Sequence, residues 1–192
     1  MRTRADTSIP LQFVRVLEGL PRHPQAVLPC LRRMLVECGP GGALAHLGAI
    51  PRLIQAFGAM GPAARDDIPA LLPYLRSDRD ATRRKAIAAL GRIGGHPEIV
   101  PELLACLGDA IPRNRLLAMT ALGNRKSREA LGALTDRLAD ADRRTVLTAM
   151  TALKRIGDLP AATVAALEAF RTHPEAEFRN RAAEAVRLRQ AK

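Results

Sequence analysis

A short block of sequence returns along this chain at a nearly fixed interval, and that interval constrains the fold more than any other feature. The clearest echo is TRRKAIAALGRIG (Thr82 to Gly94), which reappears as NRLLAMTALGN (Asn114 to Asn124) and as TVLTAMTALKRIG (Thr145 to Gly157). Weaker copies are AIPRLIQAFGAMG (Ala49 to Gly61) upstream and FRNRAAEAVRLRQ (Phe178 to Gln190) downstream. The tenth position of each copy falls at Gly58, Gly91, Gly123, Lys154 and Arg187, in steps of 33, 32, 31 and 33 residues. A shorter apolar motif alternates with the first, in IPALLPYL, IVPELLACL, ALGALTDRL and ATVAALEAF, whose last residues Leu75, Leu107, Leu138 and Phe170 step by 32, 31 and 32. A unit of this size cannot bury its apolar face alone, so successive units must stack on one another.

Both motifs read as helices. In the long motif Ala86, Leu90 and Ile93 form an i, i+4, i+7 stripe, with small Ala89 between them. The fifth and eighth positions are alanine in four copies: Ala86 and Ala89, Ala118 and Ala121, Ala149 and Ala152, Ala182 and Ala185. Small residues one turn apart let neighbouring helices approach closely. Pro97 and Pro112 sit where first-turn prolines are tolerated, and Gly94, Gly95 and Gly157 where helices end. Composition agrees: 47% of residues are apolar but only 3% aromatic, with no Trp. Such a core is built from Leu, Ala, Ile, Val and Met, which suits helix-on-helix packing and argues against a β-sandwich.

An Asp-rich turn, an Arg, then A-x-x-A-L-G-x-I-G, preceded by a Pro-containing apolar helix, resembles the HEAT repeat in its short bacterial, phycobilin-lyase-like form. The likeness runs over roughly residues 49–190, closest at 82–94 and degenerate at both ends. It implies a single domain over 1–192, an all-α solenoid (superhelix) of about five helix pairs. Residues 1–48 are expected as an irregular N-terminal helical cap and 49–192 as the regular repeats. Within the cap, Ile9 to Leu20 and Val27 to Leu35 read as helices. GPGG at Gly39 to Gly42 breaks the period and predicts a longer loop, since Leu35 and Leu75 lie 40 positions apart.

Candidate sites are few. Acidic residues recur before the long-motif helices, at Asp78 and Asp80, Asp109, Asp140 and Asp142, Glu175 and Glu177. Carboxylates two apart can hold a cation, but recurrence at every period favours helix capping and pairing with Arg83, Arg115, Arg144 and Arg179. Of the four histidines His23, His46, His96 and His173, three precede Pro, a turn signal. None has a partner at zinc-ligand spacing, and Cys30 and Cys38 are too far apart for a C-x-x-C half-site, so no metal and no cofactor is expected. No phosphate-binding loop, dinucleotide fingerprint, G-x-S-x-G or H-E-x-x-H occurs, so no catalytic residue is expected and the chain reads as a non-enzyme. The odd cysteines Cys30, Cys38 and Cys106 lie in apolar helical patterns and read as free thiols. With no signal-like start and no long apolar run, they lead us to expect a cytoplasmic protein without a membrane partner.

The formal net charge is +11, from 30 basic and 19 acidic residues, and it is spread along the chain. This favours polyanionic or acidic partners. In a HEAT solenoid the second helix of each pair lines the concave side. The outward positions of those helices here carry Arg52, Gln55, Arg84, Lys85, Arg92, Asn124, Arg155 and Arg181, with Thr120, Thr151, Asn180 and Glu184 among them. The leading expectation is a scaffold that binds a partner protein, through an acidic segment, on this basic concave face. An ordinary solvated face is the equally weighted alternative. Nucleic-acid binding through arginine-phosphate contacts is the alternative function; base excision is disfavoured by the lack of Trp and the single Tyr74. A phycobiliprotein lyase-like accessory role is the third, resting on the repeat resemblance alone.

Overall fold

The computed structural model describes residues 24–39, 42 and 48–187. Among them every regular element is helical. Contacts gather the chain into two compact units, Met1–Ile99 and Val100–Lys192.

In the first unit, α1 (Pro24–Cys38) precedes α2 (Ile50–Met60), a 3-10 segment (Gly61–Asp67), α3 (Ile68–Leu71), a second 3-10 segment (Leu72–Arg76) and α4 (Asp80–Ile93). The helix expected over Val27 to Leu35 is α1, somewhat longer at both ends. The one expected over Ile9 to Leu20 lies outside the described residues. The loop at Gly39 to Gly42 is described only at its ends, where the Gly42 N–H donates to the Gly39 carbonyl. In the second unit α5 (Ile99–Ala105) leads to α6 (Pro112–Asn124), α7 (Leu131–Asp136), α8 (Arg143–Ile156), α9 (Ala161–Glu168) and α10 (Ala176–Arg187). Each long motif is therefore an uninterrupted helix. Each short motif is a brief α-helix that tightens into a 3-10 turn: after α3, α5, α7 and α9 alike. Tightening the last turn gives terminal carbonyls a donor that a four-residue spacing would deny them. Prolines at 62, 69 and 73 add to this in the first unit, because each removes an N–H from the ladder.

The long-motif helices pack directly on one another, α2 on α4 in the first unit and α6 on α8 in the second. The small residues explain how. A Cβ built on Gly58 would lie 2.8 Å from the Cα and Cβ of Ala89, and one on Gly123 would lie 2.7 Å from the Cα of Ala152. Carbon atoms in contact prefer about 3.5–4.0 Å, so only glycine fits there. The tenth position of one copy is thus pressed against the eighth position of the next. Around these seams lie the buried side chains Leu53, Ile54, Phe57, Ile87, Leu90 and Ile93 in the first unit and Met119, Leu122, Met150 and Leu153 in the second.

Candidate binding surface

The turns before α4, α6, α8 and α10 are built from one repeated device. At Ser77, Asp109, Asp140 and His173 a side chain accepts the N–H two residues on, from Arg79, Ile111, Asp142 and Glu175. Five residues after the acceptor comes a buried side chain: Thr82, Asn114, Thr145 or Phe178. Six residues after it, in three of the four turns, an arginine folds back. Nη1 of Arg83 donates to the carbonyls of Ser77 and Asp78, that of Arg115 to Asp109 and Ala110, and that of Arg179 to His173 and Pro174.

The sequence suggested that these arginines pair with the neighbouring carboxylates. In all three, Nη1 holds backbone carbonyls of its own turn, because those carbonyls lie outside the helix and lack its N–H partners. The fourth turn has Val146 at the equivalent position. It relies on Asp142, whose Oδ2 accepts from both the N–H and the hydroxyl of Thr145 at 3.0 and 2.7 Å. Those two hydrogen bonds, hydroxyl first, hold the Asp142 carboxyl below its usual range. The capping reading therefore holds at Asp142, and Arg144 stands exposed beside it. The histidines before Pro97 and Pro174 are turn acceptors, with Nδ1 of His96 taking the Glu98 N–H as His173 takes that of Glu175.

A second set of contacts links residues about one period apart. In the first unit Arg32 grips the buried Asp67 with two nitrogens, at 2.5 and 3.1 Å, and Lys85 Nζ donates to Gln55 Oε1. In the second unit Arg143 reaches Glu175 at 3.0 Å and Glu177 at 2.5 Å while its guanidinium lies 5.7 Å above the Phe178 ring. Lys154 pairs with Glu184, Arg128 with Asp158, and Arg181 donates to the Thr151 hydroxyl. The spacing of these partners was visible in the sequence only as a period, with no sign of which side chains would meet.

The residues expected to bind a partner fall into three groups. On the first unit's α2 and α4, Gln55 and Lys85 join across the seam, Arg52 lies one turn before Gln55, and Arg84 adjoins Lys85. On the second unit, Arg181 lies on α10 facing Thr151 of α8. Arg92, Asn124 and Arg155 are exposed in the last turns of α4, α6 and α8, where the two arginines also complement the negative end of the helix dipole. Among the described residues, no ion pair or side-chain hydrogen bond engages Arg52, Arg84, Arg92 or Arg155. No carboxylate joins Lys85 either, whereas Lys154 and Arg181 are matched by Glu184 and Glu177. Also among the described residues, no group of three or more His, Cys, Asp or Glu is placed to hold a metal ion, and no helix is long and apolar enough to cross a membrane.

Stacked pairs of helices, with glycine and alanine at the seams and one turn device repeated before α4, α6, α8 and α10, define an all-α repeat solenoid. The family profile for HEAT repeats matches residues 68–149 and again 100–187, and the chain belongs to that family. No curated protein matches the sequence. Among solved structures it is similar to an engineered protein (18% identity, 98% of this chain and 93% of that one, TM-score 0.63). It is also similar to a designed armadillo repeat protein in complex with the peptide (KR)4 (19% identity, 93% and 98%, TM-score 0.58). A third similar structure is human deoxyhypusine hydroxylase in complex with glycerol (17% identity, 99% and 82%, TM-score 0.54). At these identities the likeness is one of fold.

Proposed function

We propose that this protein is a non-enzymatic scaffold whose second-helix face holds an acidic segment of a partner protein. Repeats of this fold class commonly mediate protein binding, and stacked units present extended surfaces for it. The observation that carries the reading is the unbalanced charge on the first unit's α2–α4 face. Arg52, Arg84 and Lys85 gather there without a carboxylate in ion-pair contact, whereas on the second unit's α8–α10 face Lys154 and Arg181 are each matched by a glutamate. Cations half-buried on a helix face and lacking a counter-charge are best satisfied by an anionic partner. The designed armadillo neighbour holds a peptide of alternating Lys and Arg; on this chain the scaffold carries the cations, so the peptide chemistry it suits is the reverse.

The test is fluorescence anisotropy with an octapeptide of alternating Asp and Glu, against the wild type and an Arg52→Glu, Arg84→Glu double variant. Saturable binding that the double variant loses by about tenfold or more supports the reading. Equal binding by both proteins refutes the assigned face. A duplex DNA arm at two salt concentrations decides between anions: tighter binding to DNA than to peptide, with a steep salt slope, would replace the protein partner with nucleic acid.

A further inference from the structure

The tenth position of the long motif is glycine in the first three copies and Lys154 in the fourth. At Gly58 and Gly123 that position leaves no room for a Cβ, since the neighbouring helix's alanine lies against it. Lys154 brings a whole side chain to the same place, so α8 and α10 cannot meet as α6 and α8 do. Between them lies a cleft of about 270 Å³ lined by Met150, Thr151, Lys154, Arg181 and Glu184.

The two walls of this cleft each supply a cation. From α10, Arg181 extends Nη1 to the Thr151 hydroxyl at 2.7 Å and to the Leu147 carbonyl at 3.5 Å, and Nη2 to Glu177 at 3.0 Å. From α8, Lys154 extends Nζ to Glu184 Oε2 at 2.8 Å. Met150, fully buried, lies directly behind the same cleft. Arg181 is anchored by three acceptors, but Lys154 has one carboxylate, and that one is half exposed, at 54%. An exposed pair of this kind exchanges readily with another carboxylate. The cleft holds the volume of several waters at about 30 Å³ each, enough for a carboxylate side chain with its methylene stem.

We propose that the α8–α10 cleft is a subsite on the second unit for one acidic side chain of a peptide, received between Lys154 and Arg181, and that Glu184 occupies Lys154 until that side chain displaces it. The proposal rests on the reading that the second-helix face binds acidic segments. It adds that the repeat departs from glycine here in order to make a pocket, and that the protein carries its own competitor for it.

The experiment uses the full chain and the same alternating Asp-Glu octapeptide, in a double-mutant cycle of Glu184→Gln and Lys154→Gln. Removing the competitor should tighten binding by about two- to five-fold, the range of an exposed ion pair. Removing the lysine should weaken binding by a similar factor. In the Lys154→Gln background Glu184→Gln should have no further effect beyond a small uniform change. A Glu184→Gln gain that persists at full size without Lys154 would be a net-charge effect and would overturn the proposal, as would a Glu184→Gln variant that binds like the wild type. The Met150 methyl resonance gives an independent readout: peptide should shift it in the wild type and leave it in place in Lys154→Gln, and an unmoved resonance in the wild type overturns the subsite. Loss of binding in the Arg52→Glu, Arg84→Glu variant together with an inert Glu184→Gln refutes the cleft alone. Absence of any peptide binding by the wild type refutes both readings.

Discussion

Alanine in place of glycine inside a helix ordinarily stabilises, so the seams of this protein offer a test in which the sign itself is informative. In Gly58→Ala the new Cβ would sit 2.8 Å from the Cα and Cβ of Ala89; in Gly123→Ala it would sit 2.7 and 2.8 Å from those of Ala152. Reaching ordinary carbon contact requires each pair of helices to part by roughly 1 Å. The atoms met are backbone and a methyl, which cannot swing aside. Overpacking of this kind costs about 1–3 kcal/mol, and the helix propensity of alanine returns about 1 kcal/mol. The expected net is a destabilisation near 1 kcal/mol at either site. Gly132 in α7 is the internal control: it is exposed and a Cβ there meets nothing within 4 Å. Gly132→Ala should therefore receive the propensity term alone and gain up to about 1 kcal/mol. Urea unfolding followed by far-UV circular dichroism measures all three, and amide hydrogen exchange locates each loss in the unit that carries it. Should Gly58→Ala and Gly123→Ala stabilise as much as Gly132→Ala, the claim that adjacent second helices touch backbone to backbone is wrong.

Leu90→Ala empties a fully buried position on α4 and should cost about 2–5 kcal/mol in the same urea titration. Arg115→Met keeps the aliphatic stem but releases the carbonyls of Asp109 and Ala110, so it should lower stability by about 1 kcal/mol and raise exchange at the turn before α6. Asp142→Ala should lower the melting temperature, because α8 loses the acceptor of the Thr145 N–H and hydroxyl. The Asp142 carboxyl is held below its ordinary value in the folded protein. Its contribution is therefore complete at neutral pH and disappears as pH falls from about 4 through the depressed folded value. A melting-temperature difference between wild type and Asp142→Ala that fails to shrink in that acidic window would refute the capping role.

The period, the helical character of both motifs and the small residues at the seams were all legible in the chain, because each depends on neighbours within a few turns. An apolar stripe at 3.6-residue spacing and an alanine every turn specify a helix and the side it buries whatever lies far away. The destinations of the charged side chains were not legible in this way. Arg83, Arg115 and Arg179 stand beside acidic residues in the sequence, and nothing in that order says that Nη1 of each reaches carbonyls of its own turn. Arg143 commands two glutamates and an aromatic ring some 32 to 35 positions away. Such choices are made by ångström-scale distances between side chains that only stacking brings together, and several acceptors compete for every cation.

Gly58, Gly91, Gly123 and Lys154 at one register show the division most clearly. The amino-acid order announced that the fourth copy differs at the tenth position, but not that the glycine there is what lets adjacent helices touch. Only the packed helices showed what the difference produces: a cleft lined by a methionine, with a cation from each wall and a glutamate already paired to one of them. Periodicity determines which surfaces are buried, since burial follows from local spacing and the hydrophobic effect. Which polar groups are left over to meet a partner is settled when neighbouring units have taken the ones they need.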